Sequence, residues 1–287
     1  MTPEVPPPAP DVGASADPAE ERLLARLDGL GVFLAGPANV VMQLAWPEVG
    51  YGVAESRVDS GSIYRHPFKR FRTTVGYVGI ALWGSDELRV AFREAVNGQH
   101  RQVRSGPDSP VAYNAFNRDL QLWVASCLYH GLRDLVVSMH GPITDEDEEV
   151  LLRIGARFGT TLQVPSEMWH VDRAAFEDYW ARGLERVRID EPVRAYLLGV
   201  LLQEILPFPL DRLARPVLGW CNLGFLPDEF RDAMGLEWTA ADRRRHARLV
   251  RLMGRGQELL PKVVRRFPVN LMVANINVRR RLGRPLV

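Results

Sequence analysis

The sequence predicts an all-α fold, a single domain of many helices, and three observations carry that expectation. Apolar residues recur at helical spacing along most of the chain, as in Phe92, Val96, His100 and Val103. Start and stop signals punctuate the pattern, with Pro67, Thr144, Asp172 and Glu191-Pro192 where helices would open and Gly141-Pro142 where one would close. No run alternates apolar and polar residues as a half-buried strand does, and no internal repeat is present.

Residues 1–18, MTPEVPPPAPDVGASADP, are rich in proline and alanine and have little to bury. They are expected to form a disordered tail, leaving 19–287 as the helical domain. A first helix is expected from Pro18 to Leu30, stopping at Gly29 or Gly31. The stretch from Phe33 to Trp46 is apolar nearly all round, which predicts a buried helix from about Ala38. Pro47, Gly50 and Gly52 should end it and leave 47–66 irregular or broken-helical. Pro67 suits the first position of a helix reaching about Trp83. Ser85 to Arg104 reads as one helix, followed by a Gly-Pro-Asp-Ser-Pro loop at 106–110. Phe116 to Leu135 is a long helix with Leu120, Trp123, Val124, Cys127 and Leu128 on one side. Thr144, followed by Asp145, Glu146 and Asp147, caps a helix ending near Gly159. Asp172 caps the next, to about Val187, and Glu191-Pro192 opens one through Leu206. Two or three further helices fill 211–282.

Composition narrows the functional classes. Hydrophobic residues make up 46% and charged residues 25%, the balance of a soluble globular protein. A net charge of +1 gives no global field to draw the chain to nucleic acid. The charge is uneven, however: from Arg243 onward twelve arginines and Lys262 stand against Glu258 as the sole acid. Either this stretch is a solvated helix surface, or it makes peripheral contact with an anionic membrane. Cys127 and Cys221 lie far apart without metal-ligand spacing, as reduced thiols of an intracellular protein would. No basic region followed by an apolar one marks a secretory signal, and no stretch approaches the roughly 18 apolar residues of a span. A cytoplasmic location is therefore expected, with membrane association confined to the basic part.

Motif tests remove further chemistries. The chain has no Walker loop, no Gly-x-Gly-x-x-Gly after a strand, no Gly-x-Ser-x-Gly elbow, no His-Glu-x-x-His and no Glu-x-x-His. What remains is inward-facing histidine and arginine on an apolar scaffold. His100 shares a helix face with Phe92, Val96 and Val103, so its ring turns inward and needs hydrogen-bond partners or a metal. Both readings stand: a core histidine bonded to a carbonyl, or a ligand to iron. Gly98, costly in a helix by about 1 kcal/mol, asks for a packing reason such as a flat ligand. Arg104, one turn on, could reach an anionic group at that ligand's edge. Arg70 and Thr74 are i, i+4 on another face that continues through Val78 and Leu82. An arginine there either meets an anion or pairs with Glu55 or Asp59. The remaining histidines are not expected to bind metal: His66 and His170 fall in loops, His130 and His140 flank a helix end, and His246 lies on a solvated helix. The tryptophans read as core, and several could line a pocket for an apolar substrate.

Several blocks occur in a characteristic order. They are Gly36-Pro37 with Gln43-Leu-x-x-Pro47, Gly52-Val53-Ala54 with Ser56, His66-Pro67-x-x-Arg70-x-x-x-Thr74 and Gly84. His100-x-x-Val103-Arg104, Leu120-Gln-Leu-Trp-Val124, Val164-Pro-x-x-Met168-Trp169 and Tyr179-Trp180 follow. Over about 33–205 they resemble the MpaB-type oxygenase family, relatives of the latex-clearing proteins, with 206–287 as a basic helical remainder. The resemblance implies a partly globin-like core holding haem b, with His100 as proximal iron ligand. It implies Arg70 and Thr74 as the distal pair and Arg104 as a propionate partner. It also implies dioxygen chemistry on an apolar, often isoprenoid, small molecule, by oxidative cleavage or oxygen insertion. The alternative is a non-catalytic helical protein that binds haem or lipid. Three departures stand out: Thr73 replaces the distal lysine of the latex-clearing branch, Glu55 only approximates its distal acid, and His170 follows the Met-Trp pair where many relatives have proline.

Overall fold

A computed structural model describes residues 17–27, 29–56, 63–204, 209, 212, 213 and 215–287. Its described residues form fourteen α-helices and no strand, so the chain is an all-α single domain. The first seven are α1 (Pro18–Arg26), α2 (Gly29–Leu44), α3 (Pro47–Ala54), α4 (Pro67–Trp83), α5 (Asp86–His100), α6 (Arg118–His140) and α7 (Asp145–Thr160). Next come α8 (Arg173–Leu184), α9 (Glu191–Leu201), α10 (Trp220–Gly224) and α11 (Asp228–Ala233). The last three are α12 (Ala240–Glu258), α13 (Lys262–Arg265) and α14 (Val269–Arg281).

Helix α6 runs through the middle, with α2, α7 and α12 packed along it. One side of it joins Leu23, Val78, Leu151 and Phe176 around Tyr129, and the other joins Val41, Met42, Leu197 and Phe230 around Trp123. Each fully buried side chain of this size contributes about 1.5–3 kcal/mol. Trp123 is stacked between Trp46, at 4.5 Å and 7°, and Trp180, at 5.1 Å and 18°. On α6, Arg133 forks onto the buried Glu148 carboxylate at 2.7 and 2.6 Å. Cys127 and Cys221 are free and buried, as expected of reduced thiols.

The signals named in the sequence place most helix starts. Ser85, Thr144 and Asp172 each accept a hydrogen bond from a first-turn N–H, at Leu88, Asp147 and Ala175. Pro67 opens α4, which runs to Trp83. The differences have physical causes. Asp17 and Pro18 belong to α1 and not to the tail, because the Asp17 carboxylate caps Ala19 N–H at 2.9 Å; residues 1–16 lie outside the described residues. Helix α2 starts at Gly29, well before Ala38, and carries Pro37 inside it. Burial of Leu34, together with Val32 packing on Leu135 and Val250, holds the turn that proline weakens. Pro47 starts the short helix α3 within the segment expected to be irregular or broken-helical. Helix α6 continues past Leu135 to His140, burying Val136 and Met139 before Gly141 ends it at φ 89°. Helix α9 stops at Leu201; the end expected at Leu206 lies outside the described residues. The C-terminal part is cut into more pieces than expected, since Pro227, Pro261 and Pro268 each precede a helix.

Helix α14 docks on α4, where Gly76 and Gly79 leave a notch filled by Ile276, Val269 and Val273. That docking brings Leu286 and Val287 against Ile80, Leu88 and Phe92.

The α6–α12 contact is equally close. A Cβ at Gly254 would collide with the Met139 carbonyl oxygen, whereas one at Gly256, in the same helix, would meet nothing within 4 Å. Gly254→Ala should therefore destabilise the fold by about 1–3 kcal/mol through overpacking. Gly256→Ala should leave stability unchanged or raise it by up to about 1 kcal/mol. Urea unfolding of both variants checks this pair of opposite signs.

Candidate functional site

Where α4 and α5 face α6, the helices diverge and enclose a cavity of about 440 Å³. That volume lies in the range of small-molecule and cofactor sites, roughly 300–1,000 Å³. Phe92, Val96, His100 and Val103, the face expected to turn inward, all line it. Arg70 and Thr74 line it from α4, and Val124 and Leu128 from α6. Three of the four predicted site residues therefore share one wall space.

His100 is the last residue of α5, with its ring edge-on to Phe116 at 6.4 Å. Its Nδ1 is buried and has no hydrogen-bond partner. Burial first, then the nearby Arg70 charge, pushes its pKa down from 6.5 to about 4, so the ring is neutral at physiological pH. The carbonyl partner that a structural core histidine would have is missing at this nitrogen. Three of the other inward-facing histidines differ. His246 bonds the Cys221 carbonyl at 3.1 Å, His170 meets Ser126 Oγ at 2.9 Å, and His140 lies between Arg26 O at 3.0 Å and Glu258 at 3.2 Å. His130, stacked on Trp180 at 4.1 Å, likewise has no hydrogen bond at Nδ1, but there that nitrogen faces the Asp134 carboxylate at 3.4 Å.

Arg70 sits in the first turn of α4, and Thr74 follows one turn later on the same wall. Arg70 has no ion-pair partner among the described residues. Glu55, one expected partner, instead accepts from Tyr113 at 3.0 Å; Asp59, the other, lies outside the described residues. The Tyr113 ring packs over Gly52 and forms part of the cavity wall.

Two expectations are corrected. Arg104 is exposed and absent from the wall, because α5 ends at His100 and helical spacing cannot be carried on to 104. Its backbone instead bridges Asn114. Gly98 is also exposed, with nothing within 4 Å of a Cβ, so no packing contact explains it. Two positions from His100, it points to the far side of the helix. Two histidine placements change as well. His130 lies in the middle of α6 and not at its end. His246 is 7% exposed within an aromatic box of Trp220, Phe225 and Trp238, because the arginine-rich helix buries its opposite face.

Sequence reasoning missed Gln121, which is 4% exposed and ties the cavity loops together. Its amide donates to Ala115 O at 2.6 Å and accepts from Gln163 N–H at 3.0 Å. It missed Tyr64 and Tyr196 too, an edge-to-face pair at 5.3 Å on the cavity wall. No spacing signal joins these residues, which come from separate segments. A larger groove, about 1110 Å³ between α6 and α12, holds none of the four predicted site residues.

Among the described residues no group of three or more His, Cys, Asp or Glu side chains could hold a metal ion. The donor set is thus one neutral imidazole beside a cation and a hydroxyl. It fits a metal group that would bring most of its own ligands and ask the protein for a single nitrogen, as haem would.

The family described as "ER-bound oxygenase mpaB/B'/Rubber oxygenase, catalytic domain" matches residues 25–255. An uncharacterized protein of Mycobacterium bovis and one of Mycobacterium tuberculosis are each 46% identical over 250 residues, covering 87% of this chain and 98% of the relative. No solved structure matches the chain significantly. An oxidoreductase of the oxygenase class is the activity this match supports, and the chain belongs to the mpaB/rubber oxygenase catalytic-domain family.

Proposed function

We propose that the protein is a haem b-dependent oxygenase acting with dioxygen on an apolar small molecule, with His100 as the residue that would hold the haem iron. The observation that carries this reading is the neutral imidazole of His100, its buried Nδ1 without a hydrogen-bond partner, in a cavity it shares with Arg70 and Thr74. Neutral imidazole is the form that ligates metal. Bound haem would supply the redox iron and the dioxygen chemistry.

The chain's own residues do the rest. His100 presents a ring nitrogen from the rigid end of α5. Arg70 supplies a cationic donor and Thr74 a hydroxyl, groups that stabilise negative charge as it develops on oxygen. Val53, Val78, Val96 and Leu128 give the wall an apolar surface that excludes water and accepts a hydrocarbon chain. Oxidative cleavage of a double bond and oxygen insertion both suit such a wall. The same features favour a cofactor edge held by groups other than Arg104.

Reconstitution with haem should give a Soret band in the wild type, and His100→Ala should lose it. A band retained in His100→Ala overturns the ligand assignment. Arg70→Met and Thr74→Val should keep the band and lower oxygenation roughly 100-fold, the usual loss when one such donor is removed. Dioxygen uptake with a panel of apolar alkenes measures it.

The pH dependence has a definite sign. In the haem-free protein the unfolded chain protonates His100 near 6.5, while the folded protein does so only at about 4. Below pH 6.5 the unfolded state binds more protons, so stability falls as pH drops from 6.5 towards 4 and then levels off. The His100 ring-proton NMR shift should titrate near pH 4; a midpoint near 6.5 would contradict the burial that the ligand role requires.

A further inference from the structure

The C-terminal part beyond the family match carries an exposed surface of a different character. In α13 and its flanks, Leu259 is 86% exposed, Val263 73% and Phe267 57%, with Leu260 and Val264 beside them. These five side chains lie within nine consecutive residues. Helix α14 follows with exposed apolar residues of its own. Its Val269, Val273 and Ile276 face α4, while Leu271, Val278 and Leu282, spaced i, i+7, i+11, are exposed on another side. Monomeric soluble proteins rarely leave contiguous apolar side chains in water on this scale.

Cations are interleaved with these side chains. From Leu259 to Val287 the chain has Lys262, Arg265, Arg266, Arg279, Arg280, Arg281 and Arg284, and no acidic residue. Arg266 lies over the Trp83 ring at 5.0 Å and Arg280 reaches Glu87 at 3.7 Å, while Lys262 is exposed beside Val263. In α12, Arg243 is paired with Asp228 at 3.0 Å, and the helix buries His246 and Val250 on its other face.

We propose that α13 and the outer face of α14 form a docking surface for an anionic lipid bilayer. Exposed leucine, valine and phenylalanine would enter the boundary between headgroups and acyl chains, while the exposed Lys262, Arg281 and Arg284 meet lipid phosphates. Two weak signals of this kind, apolar insertion and charge, together give reversible peripheral attachment. Charge also selects this occupant over a second copy of the chain. A symmetric dimer through the patch would set like cations against each other with no acid in the segment to offset them. The inner side of α14 packs on α4, the helix that bears Arg70 and Thr74, so an attached bilayer lies one helix layer from the cavity wall. The surface rests on its own observations and not on the haem reading.

Co-sedimentation of the full chain with vesicles tests it. The protein should pellet with phosphatidylcholine–phosphatidylglycerol vesicles at low salt, pellet less as salt rises, and stay in solution with phosphatidylcholine alone. The Leu259→Asp/Val263→Asp variant, altered only at exposed positions, should keep its helical circular dichroism and lose pelleting. Lys262→Glu should weaken it. A dye on Leu259→Cys should shift to the blue on those vesicles, the two native thiols being buried. Failure to pellet at low salt overturns the proposal, as does undiminished pelleting of the double variant. So does a dimer in lipid-free sedimentation that the double variant abolishes, since a second copy would then cover the patch.

Discussion

A buried central helix is the constraint from which the remaining structure follows. Helix α6 is covered along most of its length, so polar groups along it must find partners inside the protein. Asn39 of α2 donates to the Cys127 carbonyl at 2.7 Å, and Trp123 donates its indole N–H to the Gln43 carbonyl at 3.2 Å. Ser126 meets His170 at 2.9 Å, and Arg133 grips Glu148 on α7. Loss of one such partner costs about 1–3 kcal/mol, because the group left behind stays dry. These bonds fix α2, α7 and the His170 loop around one axis, and the tryptophan stack fills the space between α2, α6 and α8.

The cavity is where this packing stops. Helices α4 and α5 lean on α7, on α14 and on each other, so a gap remains on the α6 side. Into that gap turns a histidine whose Nδ1 is left unpaired. Burying an unpaired polar atom is unfavourable for folding, and groups of that kind concentrate at functional sites. Size is a poor guide by comparison. The groove between α6 and α12 is the larger, yet His140 and His246 in it are hydrogen-bonded, and His130, without a hydrogen bond at Nδ1, has the Asp134 carboxylate at 3.4 Å.

Much of the site could be read from spacing within single helices. Phe92, Val96 and His100 lie on one helix and Arg70 and Thr74 on another, and each set faces inward as its period requires. The reading failed where periodicity was carried past a helix end, as at Arg104, or where a glycine was given a reason that the far side of the helix does not supply, as at Gly98. It failed again at His246, because an arginine-rich helix can be wet on one face and dry on the other.

The sequence by itself determined the helical class, most of the cap positions, and the inward direction of His100, Arg70 and Thr74. All of these follow from interactions over one or two turns. Only the tertiary structure decided that the three share one cavity, that Glu55 pairs with Tyr113 and not with Arg70, and that apolar side chains beyond Glu258 stay exposed. Those outcomes depend on which helices meet, which is set by side-chain volume and partner satisfaction across more than a hundred residues of chain, as when Arg22 finds Asp147 or Trp46 finds Gly183.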